Sequence, residues 1–561
     1  MTSPTLPTIT RPEKSELLMP AGSLTKLKTA ILYGADAVYA GTPDLSLRTQ
    51  SSFTLEELVE GVEYAHAHGK KIYLTLNLFT HNSDIEKLPL FVETIRKVKP
   101  DGAIVADPGV FQFIREHAPE IEAHVSTQAN VSSWLTVDFW KNQGASLVVL
   151  ARETSFEDLA EIREKQPDIK LEAFVQGSMC MTYSGRCLLS NFMSERGANQ
   201  GNCAHSCRWK YKLHLKLKDG TDKAIEITDQ NSDLFEFLME EQFRPGDLFP
   251  IEEDNFGSYI LNAKDLCLMP VLPEYLKLGV DSLKIEGRNK SEYYAAITAR
   301  AYRLAIDDWY KDPESWDPEP YLKELYTLQN RGFTMGFHEG RLTGVAHNYD
   351  RTKPVGGWQF GGVIKEWQGD DMILEVRNFL SPGDVMEFLP PNEIEPIRLR
   401  LYEFFDAKTG KQTEKVSAGQ GKAIRVPATA FDKENPQSIK DRLPALTVAR
   451  RETPMSEEER VSRLSEIRAQ ELERGLISEE EYRAIMDDPE LLGKRISMKA
   501  NTGKGPKVGL DSCCGKGCNG CMMFWQDEKY AKAREKMKTK KIGEMLSGKE
   551  KTAAETVESQ T

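Results

Sequence analysis

The sequence predicts an α/β chain built on a (β/α) TIM-like barrel, followed by a small β-barrel domain and a cysteine-rich tail. Three observations carry that expectation. From Glu16 to about Ala301, short apolar runs alternate with amphipathic stretches, as in parallel strands joined by crossover helices. The runs number about eight, the strand count of a closed barrel, and polar residues stand where they end, which is where such a barrel carries its chemistry. A doubly wound sheet fits the alternation too; the strand count favours the barrel.

The strands are expected at Leu17-Leu18-Met19, Ala37-Val38-Tyr39, Lys71 to Asn77, Ala103-Ile104-Val105, His124-Val125, Leu147 to Leu150, Leu171 to Phe174 and Ser282 to Ile285. Helices are expected from Leu24 to Tyr33 and, after the last strand, to about Ile306. The polar strand ends are Asn77, Asp107, Ser126-Thr127-Gln128, Glu172 and Glu286. The barrel is assigned to residues 16–340, with an insertion at about 210–259, where acidic, polar sequence interrupts the pattern and reads as a cover over the mouth rather than another regular unit.

Beyond it, the period shifts towards two, with Gly361 to Ile364, Met372 to Val376 and Val385 to Leu389 separated by turn residues, so 356–450 is read as the small β-barrel domain, a sandwich being the alternative. Residues 452–490 are dense in Glu and Arg at helical spacing and read as a charged helical linker. Residues 493–551 form a basic, cysteine-rich tail, either a flexible solubilising segment or a surface for an anionic or protein partner.

With 561 residues the chain has room for two or three cores at roughly 100–200 residues each. The net charge of −13 argues against non-specific coating of nucleic acid but leaves local basic patches free to bind phosphate. Met1 to Lys14 hold no apolar core, and no run of about 18 apolar residues follows, so a cytoplasmic protein without a membrane partner is expected.

Nine cysteines in a chain this long are not a disulfide framework, and their clustering suits thiolate ligation in a reducing compartment. The first group is Cys180, Cys187, Cys203 and Cys207, with Cys267 further on. Four convergent thiolates suit zinc or an iron–sulfur cluster, and the long first spacing is unlike a zinc ribbon; buried, inert cysteines are the alternative. The second group, Cys513, Cys514, Cys518 and Cys521 with intervening glycines, can fold around a second metal or cluster, or act as a redox or inert thiol patch.

Glu172, Lys284, Glu286 and Arg288 place mixed charge at strand ends, where carboxylates exchange protons and Arg grips a carboxylate in bidentate fashion; structural ion pairs are the plainer reading of each alone. Arg208, Trp209 and Lys210 offer stacking and phosphate contacts to RNA, or else a solvated charged edge. No Ser-His-Asp or His-Glu-x-x-His arrangement is recognisable.

The stretch from Glu172 through Gly177, Cys180, Gly185 and Cys187 to Ser190 resembles the signature of the collagenase-like peptidase family U-32. So do Gly34 to Gly41, Ser126 to Asn130, Gly201 to Trp209, Ser282 to Arg288 and Asn330 to Phe337. Within that family the chain resembles the tRNA 5-hydroxyuridine hydroxylation members. The resemblance implies a tRNA substrate hydroxylated at the wobble uridine, prephenate as cosubstrate and a 4Fe-4S cluster. Its ligands would be Cys180, Cys187 and Cys203, with Cys207 or Cys267 in fourth place. Peptidase activity and oxygen-independent hydroxylation of a quinone precursor are the alternatives the same family offers. Many members carry His where this chain has Gln176, and Gln cannot titrate near neutrality.

Overall fold

The computed structural model describes residues 9–42, 53–77, 80–179, 183, 264–340, 358–381, 383–401, 404–413, 416, 422–431, 435–452 and 482–483, and short strands within 214–259. Eight parallel strands close into a barrel: β1 (Glu16–Ala21), β2 (Ala37–Gly41), β3 (Lys71–Leu76), β4 (Gly102–Val105), β5 (Glu122–Val125), β6 (Leu147–Val149), β7 (Lys170–Ser178) and β8 (Ser282–Ile285). Closure is made by β8, which pairs with β1 through Glu16↔Ser282 and with β7 through Ser282↔Glu172.

Strand alternation sorts the side chains into two layers. In β3, Ile72, Leu74 and Leu76 point outwards into the main core beneath the helices. Tyr73 points inwards to join Leu18, Ala37, Tyr39 and Ile104 in a separate cluster inside the barrel. The crossover helices begin where the sequence supplies a cap. Ser23, Ser133 and Ser291 accept backbone N–H bonds in the first turn, Asp107 accepts two, and Thr54 and Ser155 form capping boxes with Glu57 and Asp158. Asp107 therefore ends its strand as a helix cap.

Two boundaries differ from the sequence reading. The helix after β8 runs Glu292–Lys311, longer than expected, with most of its length buried. Strand β7 continues past Phe174 to Ser178 because a short strand, Asp265–Cys267, pairs with it antiparallel in the register Cys267↔Gln176 and Asp265↔Ser178. That strand in turn carries Phe333–Thr334 in parallel.

A second, curled sheet has seven strands in the order Ile397–Arg400, Val385–Phe388, Val448–Glu452, Trp358–Gln368, Asp371–Val376, Ala423–Pro427 and Phe405–Asp406. Register shifts on both sides of Trp358–Gln368 bend its long strand around a core of Ile364, Met372, Phe388, Phe404, Ile424 and Val426. This sheet is tied to the barrel by buried polar contacts. Tyr33 donates its hydroxyl to Leu389 O at 2.7 Å and accepts from Val448 N at 3.0 Å. Glu324 receives both Arg300 and Arg450, and Arg450 also reaches Glu387.

The region expected as an irregular insertion contains two small antiparallel sheets, His214–Lys216 with Ala224–Glu226, and Phe237–Glu240, Leu248–Asp254 and Gly257–Tyr259. Of the expected linker at 452–490, only its first residue and residues 482–483 are described. The tail at 493–551 lies outside the described residues.

Candidate active site at the barrel mouth

The adjacent strands β7 and β8 bring the predicted charges together. Lys284 Nζ donates to Glu172 Oε1 at 2.7 Å, and Ser282 Oγ donates to Glu172 Oε2 at 2.8 Å. Both members of the ion pair are buried, at 1% exposure for Glu172 and 4% for Lys284. The Lys284 ammonium lies 4.5 Å from the centre of the Tyr39 ring and 5.5 Å from that of Phe174. Burial lowers the pKa of Lys284 below its ordinary value; Glu172 opposes the shift, while Arg152 and Arg288 add to it.

Further along the same strand end, Glu286 forms an ion pair with Arg152, whose guanidinium lies 3.8 Å from the centre of the Phe174 ring. Arg288 donates Nη1 to Thr75 Oγ1 of β3 at 2.9 Å, a bond made across the mouth from β8. The backbone that carries these groups is held by Tyr39 and Tyr294, whose hydroxyls donate to Ile285 O and Glu286 O at 3.0 and 2.8 Å. It also needs glycine at 177. With φ at +130°, a Cβ on Gly177 would sit 2.6 Å from Glu286 Cβ.

Of the four residues proposed as catalytic from sequence, Glu286 and Arg288 follow the C-terminal end of β8, whereas Glu172 and Lys284 pair deeper inside the barrel, Glu172 at the level of Ser282, the first residue of that strand. Arg152, Tyr39, Thr75 and Ser282 were not singled out. The signal for Arg152 was present, since it follows the apolar run of β6 just as Glu286 follows that of β8. Beside Arg152 and Phe174 a cavity of about 30 Å³ is lined also by Leu266, Tyr275, Met335 and His338. His338 Nδ1 lies 3.2 Å from the Tyr275 hydroxyl, and burial lowers its pKa against the pull of Glu274.

Gln176 sits at 2% exposure, and its Oε1 accepts from the Tyr302 hydroxyl at 3.1 Å, so the amide is engaged as a structural acceptor. Cys267 is fully buried in the main core, hydrogen-bonded to Tyr302. Cys180, Cys187, Cys203, Cys207, Cys513, Cys514, Cys518 and Cys521 lie outside the described residues, as do Arg208, Trp209 and Lys210. Among the described residues no group of three or more His, Cys, Asp or Glu is placed to hold a metal, and no helix is long and apolar enough to cross a membrane.

Residues 22–347, which hold the barrel from the end of β1 onwards, match the model of peptidase family U32. The chain belongs to that family. This U32 chain is 40% identical over 398 residues to the tRNA hydroxylation protein P of Escherichia coli, a match covering 67% of this chain and 86% of that one. It is 39% identical over 387 residues to tRNA hydroxylation protein P1 of Bacillus subtilis, covering 68% and 85%. A 23S rRNA 5-hydroxycytidine synthase of Escherichia coli is 28% identical over 408 residues, covering 72% of this chain and 56% of that protein.

Proposed function

We propose that this U32 chain is an RNA-modifying enzyme that hydroxylates a pyrimidine, the wobble uridine of tRNA, at the C-terminal mouth of its barrel. The observation that carries the reading is the polar mouth itself. Arg152, Lys284 and Arg288 gather with Glu172 and Glu286 between the Tyr39 and Phe174 rings, in a chain about 40% identical to proteins named for tRNA hydroxylation. Three cations against two carboxylates favour an anionic reactant, and the rings offer flat apolar faces to a base or to the ring of a dicarboxylate.

Prephenate, a dicarboxylate, is the hydroxyl donor the family resemblance suggests, and its charges suit Arg152 and Arg288. Lys284 is the proton carrier at this site: its lowered pKa brings it nearer neutrality than an exposed lysine, and Glu172 holds its Nζ in place. Thr75 orients Arg288 through its hydroxyl.

Cys180, Cys187 and Cys203, with Cys207 or Cys267, are the thiolates that would hold a 4Fe-4S cluster, and soft thiolates in that number fit iron. When bound, such a cluster supplies electron transfer or Lewis acidity. Cys180 follows directly on Met179, where the chain leaves β7 at the mouth end of the barrel. Cys267, packed in the core against Tyr302, would have to give up that contact to ligate, which favours Cys207 for the fourth place. The second cysteine group and the basic tail are proposed as an accessory metal site and a contact for RNA or a protein partner.

The test is nucleoside analysis of tRNA from a strain lacking the gene and its paralogues. Loss of 5-hydroxyuridine derivatives, restored by the wild-type gene, supports the reading. Unchanged derivatives in the deletion strain, or cleavage of a collagen peptide by the purified protein without any RNA product, would contradict it.

A further inference from the structure

The barrel mouth has two chemically different sides. The charged groups come from β6, β7 and β8, and they are paired with one another or with Thr75. The opposite side, at the ends of β3 and β5, presents neutral polar groups. Among the described residues, Asn77 Oδ1 and Gln128 Oε1 are buried and have no hydrogen-bond partner. Gln128 is 7% exposed.

A buried amide oxygen without a partner is costly, so native chains rarely keep one except where something else completes the bond. Two such amide oxygens, Asn77 Oδ1 and Gln128 Oε1, stand at the C-terminal ends of β3 and β5. Asn77 shares the inward parity of Tyr73 and Thr75 on β3, and Thr75 already meets Arg288 across the mouth.

Gln128 is carried on a rigid turn. Ser126 N donates to Val105 O at 2.7 Å, Ala129 N to Ser126 O at 2.9 Å, and the Thr127 hydroxyl to Leu150 O at 3.1 Å. The turn closes on Asn130 in the left-handed region, with φ at +54°. The side chain is thus presented by a locked backbone, as a recognition group needs to be.

We infer that Asn77 and Gln128 form the subsite that reads the pyrimidine base, while the charged side receives the anionic donor. This rests on the proposed RNA-modifying function and assigns the base to one side of its site. The chemistry selects a neutral ring. Neither side chain carries charge, and a carboxamide both donates and accepts. That matches the imide edge of uracil, where an N–H lies between two carbonyl oxygens. A base taken out of its stack into a pocket is read by such edge contacts.

The experiment uses the full-length protein, purified without oxygen, and the variants Asn77→Ala, Gln128→Ala, Asn77→Asp and Gln128→Glu. The acidic pair keeps side-chain size and the acceptor oxygen but exchanges the amide donor for a negative charge, which the imide carbonyls of uracil repel. Saturation-transfer NMR with uridine and, separately, with prephenate gives a readout that needs no turnover, and complementation of the deletion strain gives product per tRNA. The expected result is loss of transfer to uridine in all four variants with prephenate transfer retained. Product is expected to fall about tenfold per position, and tRNA affinity to stay within about twofold because phosphate contacts dominate it.

Retained uridine transfer and wild-type product in the folded acidic variants would overturn the inference and leave the amides as structural groups. Loss of prephenate transfer with uridine kept would also overturn it, by placing the donor on this side. A wild-type gene that restores no hydroxylated uridine contradicts the function, whereas the uridine signal in the same protein still decides the subsite.

Discussion

Lys284 Nζ and Glu172 Oε1 are 2.7 Å apart inside a closed barrel, on adjacent strands whose register sets Ser282 opposite Glu172. Neither charge reaches water, so each depends on the other, and removing one partner of such a pair strands the other.

Replacement Glu172→Gln is therefore expected to destabilise the fold by about 3 kcal/mol at pH 7. The pH dependence has a definite sign. Lys284 has a folded pKa below 10.5, so between that pKa and 10.5 the unfolded chain binds more protons and stability rises with pH. Without Glu172 the pKa drops further and the window widens towards neutrality, so the deficit of the variant shrinks as the pH is raised. Urea unfolding at pH 7 and pH 9.5 checks this; a deficit that grows with pH would contradict it.

Arg288→Lys keeps the charge but loses the planar fork that holds Thr75 while facing the mouth. Hydroxylated product is expected to fall about tenfold, with melting temperature within a few degrees of wild type. If KM for the carboxylate donor rises while kcat holds, Arg288 binds the donor; a fall in kcat alone would place it at the reacting atoms.

Gly177→Ala should cost about 2 kcal/mol or more, because the backbone at φ +130° and the 2.6 Å approach to Glu286 Cβ both reject a side chain. Since Glu286 shifts with it, activity should fall further than stability alone explains. Thermal melting and product yield on one preparation separate the two.

The cysteines divide by environment. Double replacement of Cys180 and Cys187 by Ser is expected to abolish bound iron and acid-labile sulfide in protein purified without oxygen. Cys267→Ala should keep both and lose about 1–2 kcal/mol of stability, as a core truncation beside Tyr302. Iron lost with Cys267 would make it the fourth ligand.

The barrel was legible because parallel strands buried on both faces read as apolar runs between turns, and every expected run became a strand. Glu172 and Lys284 were read as strand-end charges, yet they stand within β7 and β8, because the strands' true bounds depend on pairing that no local run announces. The extension of β7 to Ser178 was not legible, since it depends on pairing with Asp265–Cys267 far along the chain, and nothing local to Gln176 announces that partner. Arg152 was missed although it occupies the same kind of strand-end position as Glu286, because its value lies in the ion pair across to β8. Asn77 and Gln128 were visible as polar strand ends; that their buried oxygens lack partners is a property of three-dimensional packing alone.

The most direct test of the account is to incubate anaerobically purified protein with tRNA from the deletion strain and prephenate, then read the wobble uridine by mass spectrometry. The account predicts a gain of one oxygen atom with the wild-type chain and none with Lys284→Met. Unmodified uridine from iron-replete wild-type protein, or equal product from Lys284→Met, would contradict the claim that the barrel mouth performs this chemistry.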